Sequence, residues 1–379
     1  MAPLKRIVHV TSVHKPDDTR IYQRQVKSLA RDGFEVVLIA PAPAEPLALN
    51  EPRLNVVLLK PASGKLARLF LLGPRTALTA LRTPADLYHF HDPELIPWML
   101  LLQLFGKRVV MDIHENYPAQ VLGMSWIPRP LRAAVAAFTR GLVRIGVTLF
   151  AGTVVADDEL RKAHETAGIR GRLAVVNNYP ILNEALLAAT FEPERYAVPR
   201  ILFLGGVNKP RVAREFVTAL DLLGEVPFEA TVGGNTNDEP LLGELSKQTI
   251  WRRIQFVGRI PSSEITTQTL AATISCNLYS DAPNHHDIRS NRLFEAMAAG
   301  LAVVVSDFPN WRRFIEEHGC GIAVNPHDPA DIAAGLGPLL RAPDRCREMG
   351  MRGRAAVLDR YNWKAQYAAL KNLYTRIIQ

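Results

Sequence analysis

Short runs of apolar and β-branched residues recur along this 379-residue chain, and stretches of helix length separate them. Many of the runs are apolar throughout, which is typical of strands buried on both faces of a parallel sheet. Their alternation with helices predicts an α/β fold with doubly wound sheets. One sheet of ordinary size does not hold so many strands, so the pattern predicts two Rossmann-like domains. The runs cover residues 6–10, 35–40, 56–60, 87–90, 109–113, 153–155 and 174–176 in the first half, and 201–204, 229–232, 255–257, 273–278, 302–305 and 322–324 in the second.

The two sets of runs are separated by a strand-poor segment that extends from Asn177 to Pro199. We therefore predict an N-terminal domain over residues 1–180, a linker over 181–198 and a C-terminal domain over 199–360. A chain of this length is sufficient for two hydrophobic cores.

The C-terminal segment, residues 361–379, is predicted to form a helix that packs back on the N-terminal domain. Its apolar residues recur at alternating spacings of four and three, which places them on one helix face. These residues are Trp363, Tyr367, Leu370, Tyr374 and Ile377.

The composition, with 48% hydrophobic and 22% charged residues, is that of a water-soluble globular protein. The three cysteines form no closely spaced pair, which suits a reducing compartment and gives no zinc motif. The first six residues lack the apolar core of a signal peptide. The longest apolar run, Leu95–Phe105, is too short to span a bilayer. We therefore expect a cytoplasmic protein, with peripheral attachment to the inner face of the membrane as an option.

The net charge of +8 is concentrated in the N-terminal half. Residues 1–180 contain 23 Lys and Arg against 15 Asp and Glu, whereas the remainder contains 22 of each. Residues 52–85 and 116–156 are basic and contain no acid. Such stretches suit an anionic membrane surface or an anionic acceptor. The alternative is a solvated basic face with arginine stems lying over apolar surface. Nucleic acid is not an expected partner, because no nucleic-acid-binding motif accompanies the charge.

The segment from Asp287 to Leu301 has the pattern of a nucleotide-sugar site. A loop precedes a short helix, so backbone N–H groups and the helix dipole are available to a diphosphate. Glu295 lies in the first turns of this helix, where a carboxylate can accept both ribose hydroxyls, and Asp287 can accept from a sugar hydroxyl. The alternative is an ordinary amphipathic helix, with Ser290 as N-cap and Gly300 at its end.

Other polar clusters follow predicted strands, where open parallel sheets bind their ligands. One contains His91, Asp92 and Glu94, the next contains His114 and Glu115, and a loop after the first strand contains Asp18 and Arg20. In the second half, Gly205 and Gly206 are followed by Lys209 and Arg211. Two domains lined in this way would form a cleft between them.

Each cluster also has a structural interpretation. The two glycines suit a tight turn, and Lys209 and Arg211 suit a solvated helix start, although basic groups directly after a strand also suit a diphosphate. His114 suits a helix cap as well as a ligand contact. His89 and His91 share one side of their strand, so one of them is expected to be structural. Asp92 and Glu94 suit a helix N-cap and a first-turn acid, which the helix dipole favours. Asp18 and Arg20 suit a simple hydrogen bond within a turn.

These motifs resemble those of the family 4 retaining glycosyltransferases, which have the two-Rossmann GT-B fold. Asn291–Gly300 followed by Val303–Pro309 resembles the nucleotide-binding signature of that family, with Glu295 as the second glutamate of its E-x7-E motif. Gly205 and Gly206 with Arg211 resemble its diphosphate loop. His89–Glu94, Asp112–Pro118 and Asp18–Tyr22 resemble a subgroup that acts in cell-envelope polysaccharide synthesis.

The resemblance implies roles for further residues. It places His114 near the donor sugar and places Gly258, Arg259 and Ile260 along the nucleobase. On the nucleotide-binding helix it implies contacts from Ser290, Asn291, Arg292 and Leu293. The chain departs from the family pattern where Asp287 replaces a glutamate, Gly206 replaces a basic residue and Arg292 replaces a lysine.

Together these patterns predict a retaining glycosyltransferase. It would transfer a sugar from a nucleotide diphosphate sugar, expected to be a UDP sugar, to a hydroxyl of a glycan, a lipid-linked acceptor or a small molecule. No Asp-x-Asp triplet occurs, so no metal or other cofactor is implied; Arg211 and Lys209 would neutralise the leaving diphosphate. Two alternatives are a sugar-nucleotide epimerase, with Asp92, Glu94, Asp112 and Glu115 as acid and base candidates, and a catalytically inactive binding or scaffold subunit.

Overall fold

The chain folds into two compact units in the computed structural model. The first unit combines Met1–Asn178 with Trp363–Gln379, and the second is Tyr179–Asn362. The structure describes residues 5–47, 49–64, 67–124, 127–166, 172–234, 236, 238–282, 285–286 and 290–379.

The first unit is built on a seven-stranded sheet in which every strand pair is parallel. The strand order is β3-β2-β1-β4-β5-β6-β7. The strands are β1 (Arg6–Val10), β2 (Glu35–Pro41), β3 (Leu54–Leu59), β4 (Leu87–Phe90), β5 (Val109–Ile113), β6 (Gly152–Val155) and β7 (Leu173–Val175).

Helices cover both faces of this sheet. A π-helix, Thr19–Val26, leads into α1, and a second one, Arg68–Leu72, leads into α2. The α-helices of the unit are α1 (Lys27–Arg31), α2 (Gly73–Arg82), α3 (Ile96–Leu104), α4 (Tyr117–Gly123), α5 (Arg129–Leu149), α6 (Asp158–Thr166) and the C-terminal helix (Trp363–Ile378). Helices α2, α3 and α5 pack on one face, whereas α1 and the C-terminal helix pack on the other. Because both sheet faces are covered, every residue of β5 is buried, and β1 is buried from Ile7 to Val10.

The second unit has a six-stranded parallel sheet in the order β10-β9-β8-β11-β12-β13. The strands are β8 (Arg200–Leu204), β9 (Glu229–Gly233), β10 (Ile254–Gly258), β11 (Ile274–Asn277), β12 (Ala302–Ser306) and β13 (Gly321–Val324). The α-helices are α7 (Glu184–Ala188), α8 (Ala213–Leu222), α9 (Glu239–Leu245), α10 (Ser262–Ala271), α11 (Asn291–Ala298), α12 (Pro309–His318), α13 (Pro329–Arg341) and α14 (Pro343–Asp359); the C-terminal helix is α15.

The predicted fold class is confirmed. Each of the predicted runs is a strand, and the observed bounds differ from the predicted ones by at most two residues. Helices on both faces of each parallel sheet give two Rossmann-like units.

The unit boundaries differ slightly from the predicted domain bounds. The first unit ends at Asn178, and residues 181–198, predicted as a linker, belong to the second unit. The physical reason is burial, because Leu186 and Tyr196 lie in hydrophobic cores of that unit. Helix α15 belongs to the first unit, where Leu370 and Tyr374 are fully buried.

In the described part of the chain, no helix combines the length and the apolar character that crossing a membrane requires.

Candidate functional site

The sheet orders define one switch point in each unit. The chain reverses its direction of winding between β1 and β4 in the first unit, and between β8 and β11 in the second. Ligands of open α/β sheets bind outside the carboxyl ends of the strands at such points. The predicted site residues lie mostly in the loops that follow these four strands.

In the second unit, three loops that follow strands meet through glycines. The amides of Gly205 and Gly206 donate to the carbonyl oxygen of Gly233, at 2.9 and 3.1 Å, and the amide of Gly234 donates to that of Gly258 at 2.7 Å. A Cβ atom on Gly234 would lie 2.2 Å from the amide nitrogen of Gly206. The close approach of these loops therefore requires glycine at position 234. The amides of Gly205 and Gly206, the predicted diphosphate loop, both donate to Gly233 within this contact.

Arg211 is the buried cation of this edge, with only 7% of the residue exposed. Its guanidinium carbon lies 3.8 Å from the centre of the Tyr279 ring, and its Nη2 donates to the carbonyl oxygen of Leu204 at 2.6 Å. Its Nε has no hydrogen-bond partner, and no acid forms an ion pair with it, among the residues that the structure describes. Burial lowers the pKa of the guanidinium. A buried cation without a carboxylate partner is suited to an anionic ligand.

The neighbouring segments place the other predicted residues of this edge. The amide of Ser280 donates to the carbonyl oxygen of Pro210 at 2.9 Å, which joins the loop after β11 to the one after β8. Lys209 and Arg259 are exposed. Ile260 packs against Gly233, where an added Cβ atom would meet its side chain at 2.4 Å.

Helix α11 begins as the sequence predicts. Ser290 is its N-cap, with the hydroxyl accepting from the amide of Arg292, and Gly300, at φ 72°, follows its end. Asn291 is the first helical residue. The side chain of Leu293 is 2% exposed and lies in the core, so only its backbone is available to a ligand.

Glu295 lies beside a cavity of about 230 Å³. Its carboxylate accepts from Nη1 of Arg292 at 2.5 Å. The cavity is also lined by Asn183, Thr266 and Thr269, which supply polar groups near the carboxylate. Asp287, predicted to contact the sugar, lies outside the described residues.

A larger cavity, of about 300 Å³, lies at the opposite edge of the same sheet. It is lined by residues at the amino ends of β8, β9 and β10, including Arg200 and Glu229. None of the predicted site residues lines it. We therefore place the candidate site at the carboxyl edge, where the predicted residues lie.

In the first unit, Asp92 joins the loops after β1 and β4. Its Oδ2 accepts from the Thr11 hydroxyl at 2.8 Å and from the Ser12 amide at 2.6 Å. Glu94 accepts from the Ser12 hydroxyl at 2.8 Å and from Nε of Arg68 at 2.6 Å. Both predicted acids therefore hold the switch-point loops together.

Asp112, the fourth residue of β5, is fully buried and is the centre of a polar cluster. Arg20 binds it in a bidentate manner, from Nε at 3.0 Å and from Nη2 at 2.7 Å, and Gln25 donates to it at 2.9 Å. His91 and His114 place ring nitrogens 3.2 and 3.3 Å from Oδ2. Burial favours the neutral acid, but Arg20 and His114 outweigh it and hold the pKa of Asp112 well below its ordinary value.

Strand register explains why these groups converge. His9 pairs with His89 across β1 and β4, and the register of β4 with β5 places His91 beside Asp112. These four residues therefore share the sheet face that α15 covers. Burial lowers the pKa of His9 and His89 well below the ordinary value and that of His91 to about 3, so all three imidazoles are neutral at pH 7.

His14 and Asp18 form a half-buried pair beside this cluster. Nδ1 of His14 lies 3.2 Å from Asp18, and its ring centre lies 5.3 Å from that of His114. Burial opposes protonation of His14, but the hydrogen bond with Asp18 and the charge of Asp92 raise its pKa. Burial likewise favours neutral Asp18, but the bonds with His14 and with backbone amides lower its pKa.

The structure thus brings together most of the predicted residues of the first unit: Asp18, Arg20, His91, Asp92, Glu94 and His114. Arg20 and His91 are buried within the cluster. Glu115 is exposed and accepts from the side chain of Gln120. The sequence did not single out His14, Tyr279 or Tyr374, or the central position of Asp112. The sequence signal that could have indicated Asp112 was its position near the end of a predicted strand, two residues before His114.

Comparison with known families identifies the chain. The family described as "Glycosyltransferase Family 4" matches residues 19–179, and the one described as "Glycosyl transferase-like" matches residues 211–372. The first match lies almost wholly in the first unit and the second mostly in the second unit, and together they cover most of the chain.

This protein is a family 4 glycosyltransferase. It is an enzyme that transfers a hexose from a nucleotide sugar.

Curated relatives and solved structures agree with this identification. The chain is 28% identical to the phosphatidyl-myo-inositol mannosyltransferase of Mycobacterium leprae over 334 residues, which is 86% of this chain and 71% of that protein. It is 21% identical to a Mycobacterium tuberculosis glycogen synthase over 293 residues, 76% and 68% of the two chains. Sucrose-phosphate synthase from Thermosynechococcus elongatus has the same fold, with a TM-score of 0.71, 15% identity and coverage of 98% and 99%. The structure of Anabaena Alr3699/HepE in complex with UDP has a TM-score of 0.70 and 12% identity, and the match covers 98% of this chain and 100% of that one. The fold is therefore GT-B.

Two sets of side chains in the glycosyltransferase have the composition of metal sites. The sets are His9, His89 and His91, and His91, Asp112 and His114; within each set the candidate ligand atoms lie within 4.8 Å of one another. In the second set, Arg20 already neutralises Asp112 and opposes a cation. In the first, the histidine nitrogens form hydrogen bonds with one another and with Tyr374, so most of their lone pairs are used.

Proposed function

We propose that this glycosyltransferase transfers a sugar from a UDP sugar with retention of anomeric configuration. The acceptor is a hydroxyl of a glycan, a lipid-linked sugar or a small molecule, in cell-envelope polysaccharide synthesis. Support for UDP comes from the fold neighbour Alr3699/HepE, whose structure is a complex with UDP. Support for a saccharide or lipid acceptor comes from two relatives, a glycogen synthase and a phosphatidyl-myo-inositol mannosyltransferase.

The observation that carries the proposal is Arg211, a guanidinium buried against Tyr279 at the switch point of the second unit. Departure of a diphosphate puts negative charge on its oxygens, and a preorganised buried cation stabilises that charge more than a solvated one does. Lys209, exposed two residues earlier, adds a second positive charge. These groups perform the neutralisation, so the proposal includes no metal.

Glu295 is assigned to the two ribose hydroxyls. Its carboxylate is partly exposed beside a polar cavity, and a carboxylate has enough lone pairs to accept from both hydroxyls. Gly258, Arg259 and Ile260 follow β10 and are assigned to the nucleobase. In the first unit, His114 is assigned to the donor sugar and Asp18, Asp92 and Glu94 to the acceptor side; Asp287 keeps its proposed contact with the sugar.

The donor is tested by thermal shift against UDP-glucose, UDP-galactose, UDP-N-acetylglucosamine, UDP-glucuronic acid and GDP-mannose. Ligands that bind the native state raise its melting temperature. We expect a selective rise with one UDP sugar. A rise with GDP-mannose alone would show that the base is not uracil. The anomeric configuration of the product, read by proton NMR, then tests retention.

The diphosphate site is tested with two arginines, one in the turn that follows β8 and one at the amino end of that strand. Arg211→Met removes a charge-assisted contact, so we expect UDP to bind about 10- to 100-fold more weakly in calorimetry. Arg200→Met, at the amino end of β8 where Arg200 pairs with Glu229, is the matched control and should leave UDP affinity unchanged. Equal affinities for parent and Arg211→Met would contradict the site.

We also propose that the first unit binds an anionic membrane surface. Helices α2, α3 and α5 pack on one sheet face, and their outer sides expose Leu101, Leu104 and Phe138. No acid occurs in the segments that contain these three helices, residues 52–85, 95–111 and 116–156. This helical layer is therefore apolar and basic. Apolar side chains among arginines match a surface of acyl chains and anionic headgroups.

The membrane test uses sedimentation with vesicles that contain phosphatidylglycerol. Replacement of Arg75, Arg129, Arg140 and Arg144 by glutamine is expected to weaken binding, because all four are exposed and none pairs with a described acid. The control replaces an equal number of exposed arginines of the second unit: Arg252, Arg313, Arg341 and Arg345. Equal sedimentation of both variants, or none with the parent, would rule out the proposal.

A further inference from the structure

The hydroxyl of Tyr374 lies in the core of the first unit, between two histidines. Tyr374 belongs to α15, and its side chain is fully buried. Its oxygen forms a short contact with Nδ1 of His89 and lies 3.4 Å from Nε2 of His9. The last helix of the chain thus reaches the strands β1 and β4 at their carboxyl ends.

The hydrogen bonds define one direction for the protons of this cluster. Asp112 is ionised and only accepts, so Nδ1 of His91 donates to it and Nε2 of His91 is an acceptor. Nδ1 of His9, 2.9 Å away, therefore donates to Nε2 of His91, which leaves Nε2 of His9 as an acceptor. The Tyr374 hydroxyl supplies that proton, and its oxygen accepts from Nδ1 of His89.

The reverse orientation satisfies fewer groups. If Tyr374 donated to His89, Nε2 of His9 would lack a donor. His89 would then carry its proton on Nε2, which lies 3.9 Å from the nearest oxygen of Asp112 and has no hydrogen-bond partner among the described residues. The first orientation leaves only the lone pair of Nε2 of His89 without a partner. The chain of bonds therefore runs from His89 through Tyr374, His9 and His91 to Asp112.

His114 lies at the other side of the same carboxylate. Its Nε2 is 3.3 Å from Oδ2 of Asp112, and its side chain is 14% exposed, whereas Asp112 is fully buried. Nε2 of His114 has no hydrogen-bond partner among the described residues, so the carboxylate acts on this imidazole as a nearby buried charge. Whatever holds Asp112 in place therefore determines where that charge lies relative to the ring of His114.

We propose that Tyr374 is a positioning residue for His114, acting through the hydrogen-bonded chain His9, His91 and Asp112. This inference rests on the proposed function, which assigns His114 to the donor sugar. Ionised Asp112 sets His91 as the Nδ1–H tautomer, and the bonds from Tyr374 through His9 hold the ring of His91 in the position from which it donates to that carboxylate. Hydrogen bonds in such a chain polarise one another, so the loss of one weakens the others.

The kinetic test compares Tyr374→Phe with Tyr367→Phe. Phenylalanine fills nearly the same volume, so Tyr374→Phe removes the hydroxyl but keeps the packing of α15. Without the hydroxyl, Nε2 of His9 has no donor, so His9 no longer holds the ring of His91 in the position from which His91 donates to Asp112. The control tyrosine, on the same helix, donates to Asp32 at the surface at 2.7 Å.

The assay follows release of UDP from the UDP sugar that the thermal-shift panel selects, with water as the acceptor. We expect Tyr374→Phe to lower kcat about 10-fold with KM little changed, in the range of a lost positioning contact. Tyr367→Phe should keep the parent values. In the background of His114→Ala, Tyr374→Phe should have no further effect on kcat, since its effect passes through His114.

The outcomes separate this inference from the proposed function. If His114→Ala lowers kcat but Tyr374→Phe does not, the positioning role is wrong and the role of His114 stands. If Tyr374→Phe lowers kcat equally with and without His114, the tyrosine acts by another route and the inference fails. If His114→Ala keeps full activity, both assignments fail.

Nitrogen-15 NMR of the histidine rings tests the chain without any variant. His9, His89 and His91 should all be Nδ1–H tautomers in the parent protein at pH 7. An Nε2–H tautomer at any of the three would overturn the proposed direction. In Tyr374→Phe we expect the ring signals of His91 and His114 to shift, whereas unchanged signals at His114 would show that the hydroxyl does not reach it.

Discussion

The absence of a side chain at Gly205 determines where the guanidinium of Arg211 lies. A Cβ atom at position 205 would meet Nε of Arg211 at 2.3 Å, and Gly205 has φ 147°, a conformation that L-residues rarely adopt. We predict that Gly205→Ala displaces Arg211 from Tyr279 and weakens UDP binding about 10-fold or more, measured by calorimetry.

Gly224→Ala is the control for backbone strain in this experiment. Gly224 has φ 58° and open space around its Cα, so alanine there is strained and destabilises the protein by about 1 kcal/mol. Gly224 lies between α8 and β9, away from the predicted donor contacts, so UDP affinity should not change. A similar loss of affinity in both variants would show that strain, and not Arg211, is responsible.

The three neutral histidines of the first unit predict early destabilisation by acid. Burial holds the folded-state pKa of His9, His89 and His91 below the unfolded value of about 6.5. Below pH 6.5 the unfolded chain therefore binds more protons than the folded one, and the stability that is present above pH 6.5 is lost as the pH falls. Each group contributes a slope of about 1.4 kcal/mol per pH unit, so the three together give about 4.

Hydrogen exchange of β1, β4 and β5 between pH 5 and 7, corrected for intrinsic rates, measures this loss of stability. His9→Asn should reduce the slope by about one third. His14 does not mask the effect, because its raised pKa gives stability that is complete below pH 6.5 and is lost only as the pH rises. Constant protection down to pH 5 would mean that the histidines are already charged in the folded protein.

Individual residues were predictable where chemistry and strand ends coincide. Arg211, His114 and Asp92 come after apolar runs, so a rule about sheet edges predicts that they lie at the carboxyl ends of the strands. Tyr374 was predicted only as a core residue of a helix face, because its partner His89 lies 285 residues earlier in the chain. Tyr279 was missed for a related reason: the stacking of Arg211 on it depends on two adjacent strands that are distant in sequence.

At the scale of elements, helix α14 comes into close contact with the residue after α11 at Gly350. A Cβ atom there would lie 1.9 Å from the carbonyl oxygen of Gly300, the residue that follows the end of α11. Backbone cannot move aside as a side chain does, so Gly350→Ala must separate the two elements. We predict a loss of about 2 kcal/mol in the free energy of unfolding, measured with urea.

Gly243→Ala in the same unit is the matched control. Gly243 lies in α9 and has no heavy atom within 4 Å of an added Cβ. Alanine is a better helix former than glycine, so this variant should gain about 0.5–1 kcal/mol. If Gly350→Ala were as stable as Gly243→Ala, the close approach of α14 to Gly300 would be wrong.

The strands were more predictable than the helices. An apolar run bounded by polar residues is a strong signal for a strand with both faces covered, so even the four-residue strand β4 was located at Leu87–Phe90. The π-helix Thr19–Val26 was not predicted, because its backbone bonds leave no periodicity in the sequence that distinguishes it from a loop leading into a helix. It matters for the site, since it contains Arg20 and Gln25, which both bind Asp112.

At the scale of the whole molecule, the first unit is assembled from the two ends of the chain. Residues Met1–Asn178 supply its sheet, and Trp363–Gln379, which follow the entire second unit in sequence, cover one face of it. The helix thereby completes both the hydrophobic core and the polar cluster around Asp112. The second unit is continuous, so its core does not depend on either end.

This arrangement predicts opposite effects of one truncation on the two units. A chain that ends at Asn362 loses six large buried side chains from the core of the first unit: Trp363, Leu370, Leu373, Tyr374, Ile377 and Ile378. At about 1.5–3 kcal/mol each, their burial contributes on the order of 10 kcal/mol, which is comparable with the total stability of a domain. We expect the first unit to unfold and the second, Tyr179–Asn362, to remain folded.

Limited proteolysis with mass spectrometry measures both effects at once. The truncated chain should yield a resistant fragment close to residues 179–362, whereas the full chain should yield resistant fragments from both units. Removal of Gln379 alone is the control, because this residue is exposed and lies beyond the last helical turn. A synthetic peptide of residues 363–379 should restore resistance to the first unit, since it supplies the missing sheet cover. If the truncated first unit resisted proteolysis without the peptide, its core would not require α15, and the reach of Tyr374 into the histidine cluster would be an addition to a unit that is already stable.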